Sequence, residues 1–527
     1  MEILPQSTIQ RSFGFQENLF SRSNIVLWII ACAFLFTSIS NQSLWIDEGI
    51  TVSYVSEPSL SKMWESLQLR LLGSSPRMPL FLVYMWSWVQ IFGNSEIALR
   101  MSNIPWAMLL ILSAIWIVHG RASRLVVLAF ATSPFLYFYM NEARPYIGIL
   151  ALSTLSLAAL LESLDSKPDS GTSARWICLF SIWLACSYHL LTIFVIPCMF
   201  LYAFIIIRRF DPVTRKKHIK SWLIPFFASA PLFIALAGYH LFIAIKSTSE
   251  AGQMILYVTS GIENFIFIFY ELAGLLGLGP SREILRISHS IDIFVPFLPS
   301  LIFGGLAVVA LIVRYFWVYL RSNFTLKYGI LPVIGIAITV LMGMLIMFTS
   351  SFSFMGRHVT YIFPCIFFGI MLTLYSTNKI SRSFWKNNLI LILLMTSWLW
   401  SDARLKWTPD HKKEDYRAVS EFIQKNVSKD ELILLAGEST TAEYYGLHQN
   451  FRLPSINLSA APAREVFIVS STGEKNIKRF LAGHQSAILV LSQRPYFDKD
   501  GALRKLATMY GEELAHYKGF KIYRLHN

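Results

Sequence analysis

Residues 23–48 read SNIVLWIIACAFLFTSISNQSLWIDE, an apolar run followed at once by two adjacent carboxylates. About 20 apolar residues are needed to cross a bilayer, and the run from 23 to 41 meets that requirement. Asp47 and Glu48 then lie at the membrane boundary, where charged side chains are costly unless they are paired or used. The stretch therefore predicts a membrane protein with a charged site at one membrane surface.

The composition indicates a chain that lies largely in lipid. Of its 527 residues, 54% are hydrophobic and 15% are charged, whereas soluble domains carry about 25% charged residues. The net charge of +14 would suggest nucleic acid in a soluble protein, but in a membrane protein it indicates basic loops kept in the cytoplasm. The first 22 residues are polar, and no cleavable signal peptide is predicted. The cysteines lie in apolar runs and predict neither a disulfide framework nor a zinc site: Cys32, Cys178, Cys186, Cys198 and Cys365.

The apolar runs predict about 11 membrane spans. Two of them fall within 175–207, where one long kinked helix is the alternative and Tyr188-His189 is the predicted turn. The predicted spans lie near 23–41, 98–119, 123–140, 146–162, 175–190, 191–207, 222–244, 291–313, 328–349, 358–376 and 388–401.

The segment 76–93 is rich in Trp and Phe and is just long enough to span. If it stays on the surface and 42–97 is one external loop, the basic clusters of the other loops all fall on one side, which the positive-inside rule makes the cytoplasm. We therefore predict amphipathic helices over 60–92 on the outer surface, with Trp86 and Trp88 at the headgroup level. An ordinary span is the alternative. The basic clusters are Arg121/Arg124, Arg208–Lys220, Arg314–Lys327 and Lys379–Lys386.

This orientation brings distant polar segments to the same outer face. We expect them to meet there and to form the functional site. They are Asp47-Glu48, Arg100, Asn141–Arg144, Tyr188-His189, the loop 245–290 and Arg357-His358.

The composition changes after about residue 402. Residues 1–402 are predicted to form the transmembrane module, and 403–527 a small α/β domain, because short apolar runs alternate there with helical patterns. An odd number of spans and a cytoplasmic N-terminus place this domain outside. The predicted strands lie near 431–436, 466–470, 487–491 and 521–525, and the helices near 414–426, 440–446, 475–482 and 500–513.

Two acidic groups could carry chemistry. Asp47 could act as a general base that takes a proton from a hydroxyl, with Glu48 binding or orienting; a solvated helix-end pair bound to Arg70 or Arg77 is the alternative. Further along the chain come Glu142 and Arg144, which precede Pro145-Tyr146. These two could form a salt bridge with each other, or Glu142 could lie beside Asp47 while Arg144 binds an anion.

Basic residues at the same face could hold a phosphate. Arg100 and Arg357 each open a span from the outer side, and arginine binds phosphate oxygens through a planar fork. Snorkelling at a helix end is the alternative. His189 and His358 could contact a ligand, or be merely interfacial. No His/Asp/Glu spacing resembles a metal site, so no metal is predicted.

The order of these motifs resembles the GT-C membrane glycosyltransferases, in particular the bacterial branch similar to protein O-mannosyltransferases and lipid A aminoarabinose transferases. The resemblance covers about residues 20–375, and residues 414–419 open an external domain like those of some bacterial members. The matching motifs are Asp47-Glu48, Pro76…Pro79-Leu80-Phe81, Phe92–Arg100, Ser133-Pro134, Asn141–Tyr146 and Arg357-His358…Tyr361…Pro364.

The resemblance implies a polyprenyl-phosphate sugar donor and an inverting transfer to a lipid, glycan or protein hydroxyl outside the cytoplasm. It makes Asp47 the catalytic base, with Glu48 beside it and Glu142 as the second acid. Arg77 stands close to where many relatives have a basic residue before two prolines. The predicted contacts to the lipid phosphate or the sugar are Arg77, Arg100, Arg144, Tyr146, His189, Arg357 and His358.

A lipid monophosphate leaving group can be stabilised by arginines alone. No cofactor is therefore firmly predicted, and a divalent metal, which some relatives use, is not favoured. The expected location is a bacterial inner membrane, with the site and the C-terminal domain on the outer side and no nucleic-acid partner. A transporter of a lipid-linked saccharide is an alternative, but it would place its charges near the midplane, in repeats that are not visible here. A non-catalytic envelope assembly protein is the other alternative.

Overall fold

The structure is a computed structural model. It describes residues 20–70, 75–168, 170–250, 262–287, 291–322, 326–349, 356–376, 381–428, 431–437, 439–447, 466–468, 486–493, 497–498 and 501–526.

In the membrane module, the regular structure within these ranges is helical, with short turns and loops between the helices. Its α-helices are α1 Arg22–Phe36, α2 Ile46–Val55, α3 Leu60–Arg70, α4 Pro79–Phe92, α5 Glu96–Met101, α6 Ile104–Val118, α7 Leu125–Ala131, α8 Pro134–Met140, α9 Tyr146–Asp165, α10 Thr172–Tyr188, α11 Val195–Arg208, α12 Pro212–Glu250, α13 Ile262–Leu272, α14 Arg282–Ile287, α15 Leu298–Arg321, α16 Ile330–Thr349, α17 Phe363–Ser376 and α18 Ser381–Trp407. Short 3-10 turns are formed by Ser75–Arg77, Leu190–Phe194, Ile291–Phe297, Gly356–Ile362 and Pro409–His411.

Within the described residues, 6 helical segments are long and apolar enough to cross a membrane. Tyr146–Asp165 and Gly356–Ser376 are 89% and 83% buried and form the centre of the bundle. Pro212–Ile243 and Asp292–Arg321 are only 17% buried, so their apolar side chains face outward, as lipid-facing helices require. The other two are Glu96–Val118 and Leu190–Arg208. The predicted class, a helical polytopic membrane protein, is confirmed, while the span count stays a prediction.

Prolines and polar breaks reshape some predicted spans. The predicted span 123–140 is interrupted, because proline disfavours a helical residue before it and Ser133 is extended between α7 and α8. The predicted turn at Tyr188-His189 is confirmed, since α10 ends at Tyr188 and His189 is extended. Helix α4, within the disputed 76–93 segment, has 14 residues. It is therefore about 21 Å long, shorter than the ~30 Å hydrocarbon core. Because α1 has a similar length, the surface location of the 76–93 segment stays a prediction.

The C-terminal domain is a five-stranded sheet with helices α19 Tyr416–Asn426, α20 Ser439–Tyr444 and α21 Ala502–Tyr510. Its strands are β1 Leu432–Ala436, β2 Val466–Ile468, β3 Ser486–Ser492, β4 Gly511–Tyr517 and β5 Phe520–His526. The order is β2-β1-β3-β5-β4; β1 runs parallel to β2 and β3, and β5 runs antiparallel to β3 and β4. Gly519, with φ of 81°, allows the tight turn between β4 and β5.

The predicted small α/β domain is therefore confirmed, with one error. All four predicted strands are present, and so are the helices that begin at Tyr416 and Ser439. The predicted helix 500–513 is wrong at its end, because α21 stops at Tyr510 and the chain continues as β4, which pairs with β5. The predicted helix 475–482 lies outside the described residues.

The two parts of the chain share a core. Trp45 and Ile46 from the membrane module pack with Tyr416 and Val419 of α19 in one buried cluster. Helix α2 also approaches α20 so closely that a Cβ on Gly49 would lie 1.9 Å from Thr441 Oγ1. The stretch that opens the charged site is thus clamped from the other side by the C-terminal domain.

Candidate active site at the start of helix α2

The two carboxylates occupy the first turn of α2. Trp45 is extended and Ile46 begins the helix, so Asp47 and Glu48 lie where the helix dipole favours negative charge. Glu48 Oε2 accepts the Trp45 backbone N–H at 3.3 Å, which closes the turn. The side chains of Asp47 and Glu48 then point to different partners.

Glu48 is fully buried and joins four segments. Its Oε1 accepts from Arg100 Nε at 3.1 Å, from the Ala143 N–H at 2.8 Å and from Lys413 Nζ at 3.0 Å. Its Oε2 accepts from Arg100 Nη2 at 2.9 Å. Burial alone would raise the pKa of Glu48, but Arg100 and Lys413 together lower it to about 2. Glu48 is therefore a carboxylate whose oxygens are engaged by the protein itself.

Arg100 is the buried counterpart of Glu48. Its side chain is 0% exposed. Besides the two bonds to Glu48, its Nη1 donates to the carbonyls of Ser40 at 2.8 Å and Gln42 at 2.6 Å, and its Nη2 to that of Ser43 at 3.2 Å. All five N–H donors of a guanidinium are thus used to hold the 40–48 segment. The geometry makes Arg100 a brace for this loop.

Asp47 forms a second, more open ion pair. Its Oδ2 lies 2.8 Å from Arg357 Nη1, and the two side chains are 25% and 20% exposed. Arg357 also lies over the Trp45 ring, 5.7 Å from its centroid, and its Nε donates to His358 Nε2 at 3.3 Å. Asp47 and Arg357 come from positions 310 residues apart, so the site joins the start of α2 to the 3-10 turn Gly356–Ile362 that precedes α17.

Glu142 lies beside these pairs and is 2% exposed. Among the described residues its Oε2 has no hydrogen-bond partner, although its backbone carbonyl accepts from Asn103 Nδ2 at 2.7 Å. Burial raises its pKa above the ordinary value, while the charges of Lys413, Arg282 and Arg357 act in the opposite direction. A buried carboxyl group with a free oxygen is available to bind a hydroxyl.

The other predicted residues lie around this centre, in different settings. Arg144 Nη1 donates to the Asp47 carbonyl at 3.1 Å and to Thr51 Oγ1 at 2.8 Å. Tyr146 is buried, and its ring lies 4.7 Å from that of Tyr139. Arg77 is exposed on its 3-10 turn.

The two predicted histidines are largely buried, at 6% exposed each. His189 Nδ1 accepts the Leu191 N–H at 3.1 Å and so caps the turn that follows α10. His358 takes the Arg357 hydrogen bond described above. No group of three side chains suited to a metal ion occurs in the described part of the chain.

Sequence reasoning missed two basic groups. Arg282 lies in the predicted loop 245–290; its Nε is 2.6 Å from Glu271 Oε1, its Nη2 donates to Tyr139 Oη at 2.9 Å, and its guanidinium lies 4.0 Å from the Phe138 ring centroid. Glu271 and Arg282 are the two charges of the otherwise apolar stretch 271–282, and this pattern was the available signal. Lys413 reaches the site from the C-terminal domain, and nothing in its local sequence distinguishes it from Lys412.

Comparisons with known proteins give the fold to which this architecture corresponds. No protein-family model and no curated protein sequence matches the chain. Its fold is similar to that of solved GT-C membrane glycosyltransferases. In particular, it is similar to the crystal structure of ArnT from Cupriavidus metallidurans bound to undecaprenyl phosphate, with a TM-score of 0.53, 13% identity, and 96% of this chain and 98% of that chain covered.

The apo structure of the same ArnT gives a TM-score of 0.53 at 12% identity, covering 95% of this chain and 97% of that chain. ArnT is a lipid A aminoarabinose transferase. The alignment runs through the membrane module and the C-terminal domain alike, because nearly the whole of both chains is covered. The resemblance seen in the sequence motifs is therefore confirmed at the level of the fold.

Proposed function

We propose that this chain is an inverting glycosyltransferase that moves a sugar from a polyprenyl-phosphate donor to a hydroxyl acceptor outside the cytoplasm. The observation that carries the proposal is the partly exposed Asp47–Arg357 pair, 2.8 Å apart. The pair supplies a base for the acceptor hydroxyl and a cation for the leaving phosphate. The fold shared with ArnT, which was crystallised with undecaprenyl phosphate, supports a lipid-phosphate donor.

The proposed reaction is a single displacement at the anomeric carbon of the donor sugar. The acceptor oxygen attacks opposite the phosphate, and its proton passes to Asp47 as the new C–O bond forms. The bond between the anomeric carbon and the phosphate oxygen breaks, and its electron pair stays on the phosphate. Arg357 stabilises the charge that develops there. One displacement inverts the anomeric configuration.

Arg357 links donor binding to the strength of the base. Its Nη1 donates to Asp47 Oδ2, and a bound phosphate competes with Asp47 for the same guanidinium. A carboxylate released from a neighbouring cation has a higher pKa and accepts a proton more readily. Binding of the donor therefore prepares Asp47 for the acceptor.

The remaining charged residues divide into a brace and a binding wall. The Glu48–Arg100 pair, with its donors and acceptors engaged, fixes the backbone that carries Asp47. Glu142, with its free buried oxygen, is suited to hold a hydroxyl of the acceptor or the sugar. Arg144 donates to the Asp47 carbonyl and so holds the base toward the same space.

Purified full-length protein in lipid nanodiscs provides the test. It would be incubated with synthetic polyprenyl-phosphate sugars and a panel of lipid, glycan and peptide acceptors, and the released polyprenyl phosphate would be measured. We expect Asp47→Asn to lower kcat by roughly 10²–10⁴-fold, the usual contribution of a positioned base. The matched control is Asp410→Asn, at an exposed acid of the 3-10 turn Pro409–His411. Absence of turnover with every donor would overturn the proposed function, and full activity in Asp47→Asn would overturn the role of the base.

A further inference from the structure

Lys413 belongs to the C-terminal part of the chain, but its ammonium group lies inside the membrane module's site. Its side chain is 10% exposed. Nζ donates to Glu48 Oε1 at 3.0 Å and to the Asn141 carbonyl at 2.6 Å. The backbone N–H of Lys413 donates to Gln42 Oε1 at 3.4 Å. A single residue thus touches both loops that carry the site's carboxylates.

These contacts bracket Glu142 along the chain. Lys413 binds the carbonyl of Asn141, the residue before Glu142. Through Glu48 Oε1 it also reaches the N–H of Ala143, the residue after Glu142, which donates to that oxygen at 2.8 Å. The backbone on both sides of Glu142 is therefore tied to one ammonium group.

The charge balance also assigns Lys413 a role beyond neutralising Glu48. Arg100 already pairs with Glu48, one cation for one anion, in a fully buried contact. Burying a second ammonium group is costly unless it offsets another charge. Glu142 is the second carboxyl group on which Lys413 acts, since Lys413 is the largest of the charges that oppose the effect of burial on the pKa of Glu142.

The position of Lys413 depends on how the C-terminal domain docks. Arg417 Nη2 binds Glu96 and also donates to the Asn41 carbonyl at 2.7 Å. Tyr445 Oη donates to Glu96 Oε1 at 3.0 Å. These contacts, with the shared core around Trp45, hold the domain against the segment that precedes α2 and against the start of α5. Lys413 therefore enters the site only from a docked domain.

We propose that Lys413 is a positioning residue of the transfer site, through which the docked C-terminal domain holds Asp47 and Glu142 in the geometry for transfer. The catalytic consequence rests on the proposed function, whereas the ordering of the two loops does not. Lys413 forms no hydrogen bond to the side chain of Asp47 or of Glu142, and it takes no part in the chemical step itself. It acts through Glu48, the neighbour of Asp47, and through the backbone around Glu142.

The titration of Lys413 gives a readout that mere structural support would not give. The charged groups that face it are Glu48, Arg100 and Glu142. Burial, with a further contribution from Arg100, lowers the pKa of Lys413 to about 8, so its positive charge is lost as the pH rises through that value. An arginine at the same position stays charged throughout this range.

The first experiment compares pH profiles of transfer by the full-length protein and three variants. We expect Lys413→Met to lower kcat at least tenfold with little change in the donor KM, because an interaction used for positioning is lost. Lys413→Arg should restore most of kcat and move the alkaline limb of the profile up by about one pH unit or more. The matched control, Lys412→Met, changes the exposed neighbour and should follow the wild type. An alkaline limb that stays in place in Lys413→Arg would overturn the proposal.

The second experiment separates this inference from the proposed function, because it needs no turnover. Hydrogen–deuterium exchange of the peptides that cover Trp45–Glu48 and Asn141–Arg144 would be followed in the same four proteins at pH 7. We expect exchange in both peptides to be at least tenfold faster in Lys413→Met, and close to wild type in Lys413→Arg and Lys412→Met. Unchanged exchange in Lys413→Met would overturn the proposal even in an active enzyme. Faster exchange in a protein that transfers no sugar would support the positioning role and remove only its catalytic meaning.

Discussion

Asp47 and Glu48 are adjacent carboxylates, yet we expect neutralising them to have different effects. Glu48 is fully buried between Arg100 and Lys413, whereas the Asp47–Arg357 pair is partly exposed. Glu48→Gln should therefore mainly destabilise the protein. Asp47→Asn should mainly stop transfer. The prediction distinguishes Glu48, which braces the loop, from Asp47, the proposed base, because each variant replaces one carboxylate by a neutral amide of the same size.

The magnitudes follow from burial. Glu48→Gln leaves Arg100 and Lys413 without their shared anion, and removing one partner of a buried ion pair costs about 3–5 kcal/mol. A partly exposed pair such as Asp47–Arg357 contributes about 0–1 kcal/mol. The pKa of Glu48 is lowered from 4.5 to about 2. Its contribution to stability is therefore complete above pH 4.5 and is lost as the pH falls toward about 2, which gives an independent check.

The assay is the free energy of unfolding in mixed micelles, from titration with SDS followed by tryptophan fluorescence, measured beside turnover. The matched control is Glu65→Gln, at an exposed acid paired with Lys62 on the surface, which should stay within about 0.5 kcal/mol of wild type. The reasoning would be refuted if Glu48→Gln kept wild-type stability, or if Asp47→Asn lost more stability than Glu48→Gln.

Three further predictions use other parts of the site. Glu142→Gln should lower turnover at least tenfold yet leave stability at pH 7 equal or higher, because burial raises the pKa of Glu142 and the ionised form opposes folding above that pKa; unfolding at pH 5 and pH 8 checks the sign. Chelation of divalent cations by EDTA should leave the transfer rate unchanged, because arginines stabilise the phosphate in the proposed reaction. A loss of transfer activity that Mg²⁺ or Mn²⁺ reverses would contradict this role of the arginines. Gly49→Ala should weaken docking of the C-terminal domain, because the new Cβ would lie 1.9 Å from Thr441 Oγ1. Adding Thr441→Gly should restore only part of the docking, since the Cα of residue 441 stays 2.8 Å from that Cβ. Limited proteolysis of the C-terminal domain measures both effects.

The sequence was most informative where a property extends over a long segment, such as hydrophobic length or the charge of a loop. Apolar length and loop charge predicted a helical membrane protein, and they predicted that Asp47, Glu142, Arg144 and Arg357 would meet, as they do in the structure. Alternation of short apolar runs predicted the C-terminal sheet domain. Strand β4 was not predicted, because Glu512, Glu513 and His516 make its sequence polar. It forms a strand because it pairs with β5, and its own sequence pattern does not indicate one.

The role of each charged residue could not be read from the sequence. Arg100 and Arg357 have the same setting there, at the outer start of a span, yet one is fully engaged by the protein and the other is partly exposed. Lys413 is 365 residues from its partner Glu48, so only the docking of the C-terminal domain distinguishes it from Lys412. Whether a charged side chain is engaged by the protein or remains accessible to a ligand depends on its tertiary contacts.

The charges that meet at the site favour an anionic leaving group. The described carboxylates there are Asp47, Glu48, Glu142 and Glu271, and the described cations are Arg100, Arg144, Arg282, Arg357 and Lys413. With all of them ionised, one positive charge is in excess, in a setting where burial strengthens electrostatic interactions. A donor phosphate linked to a sugar carries one negative charge, and it gains more as the glycosidic bond breaks. Under the proposed function, this excess stabilises the departing phosphate more than the bound donor, and that difference is what accelerates transfer.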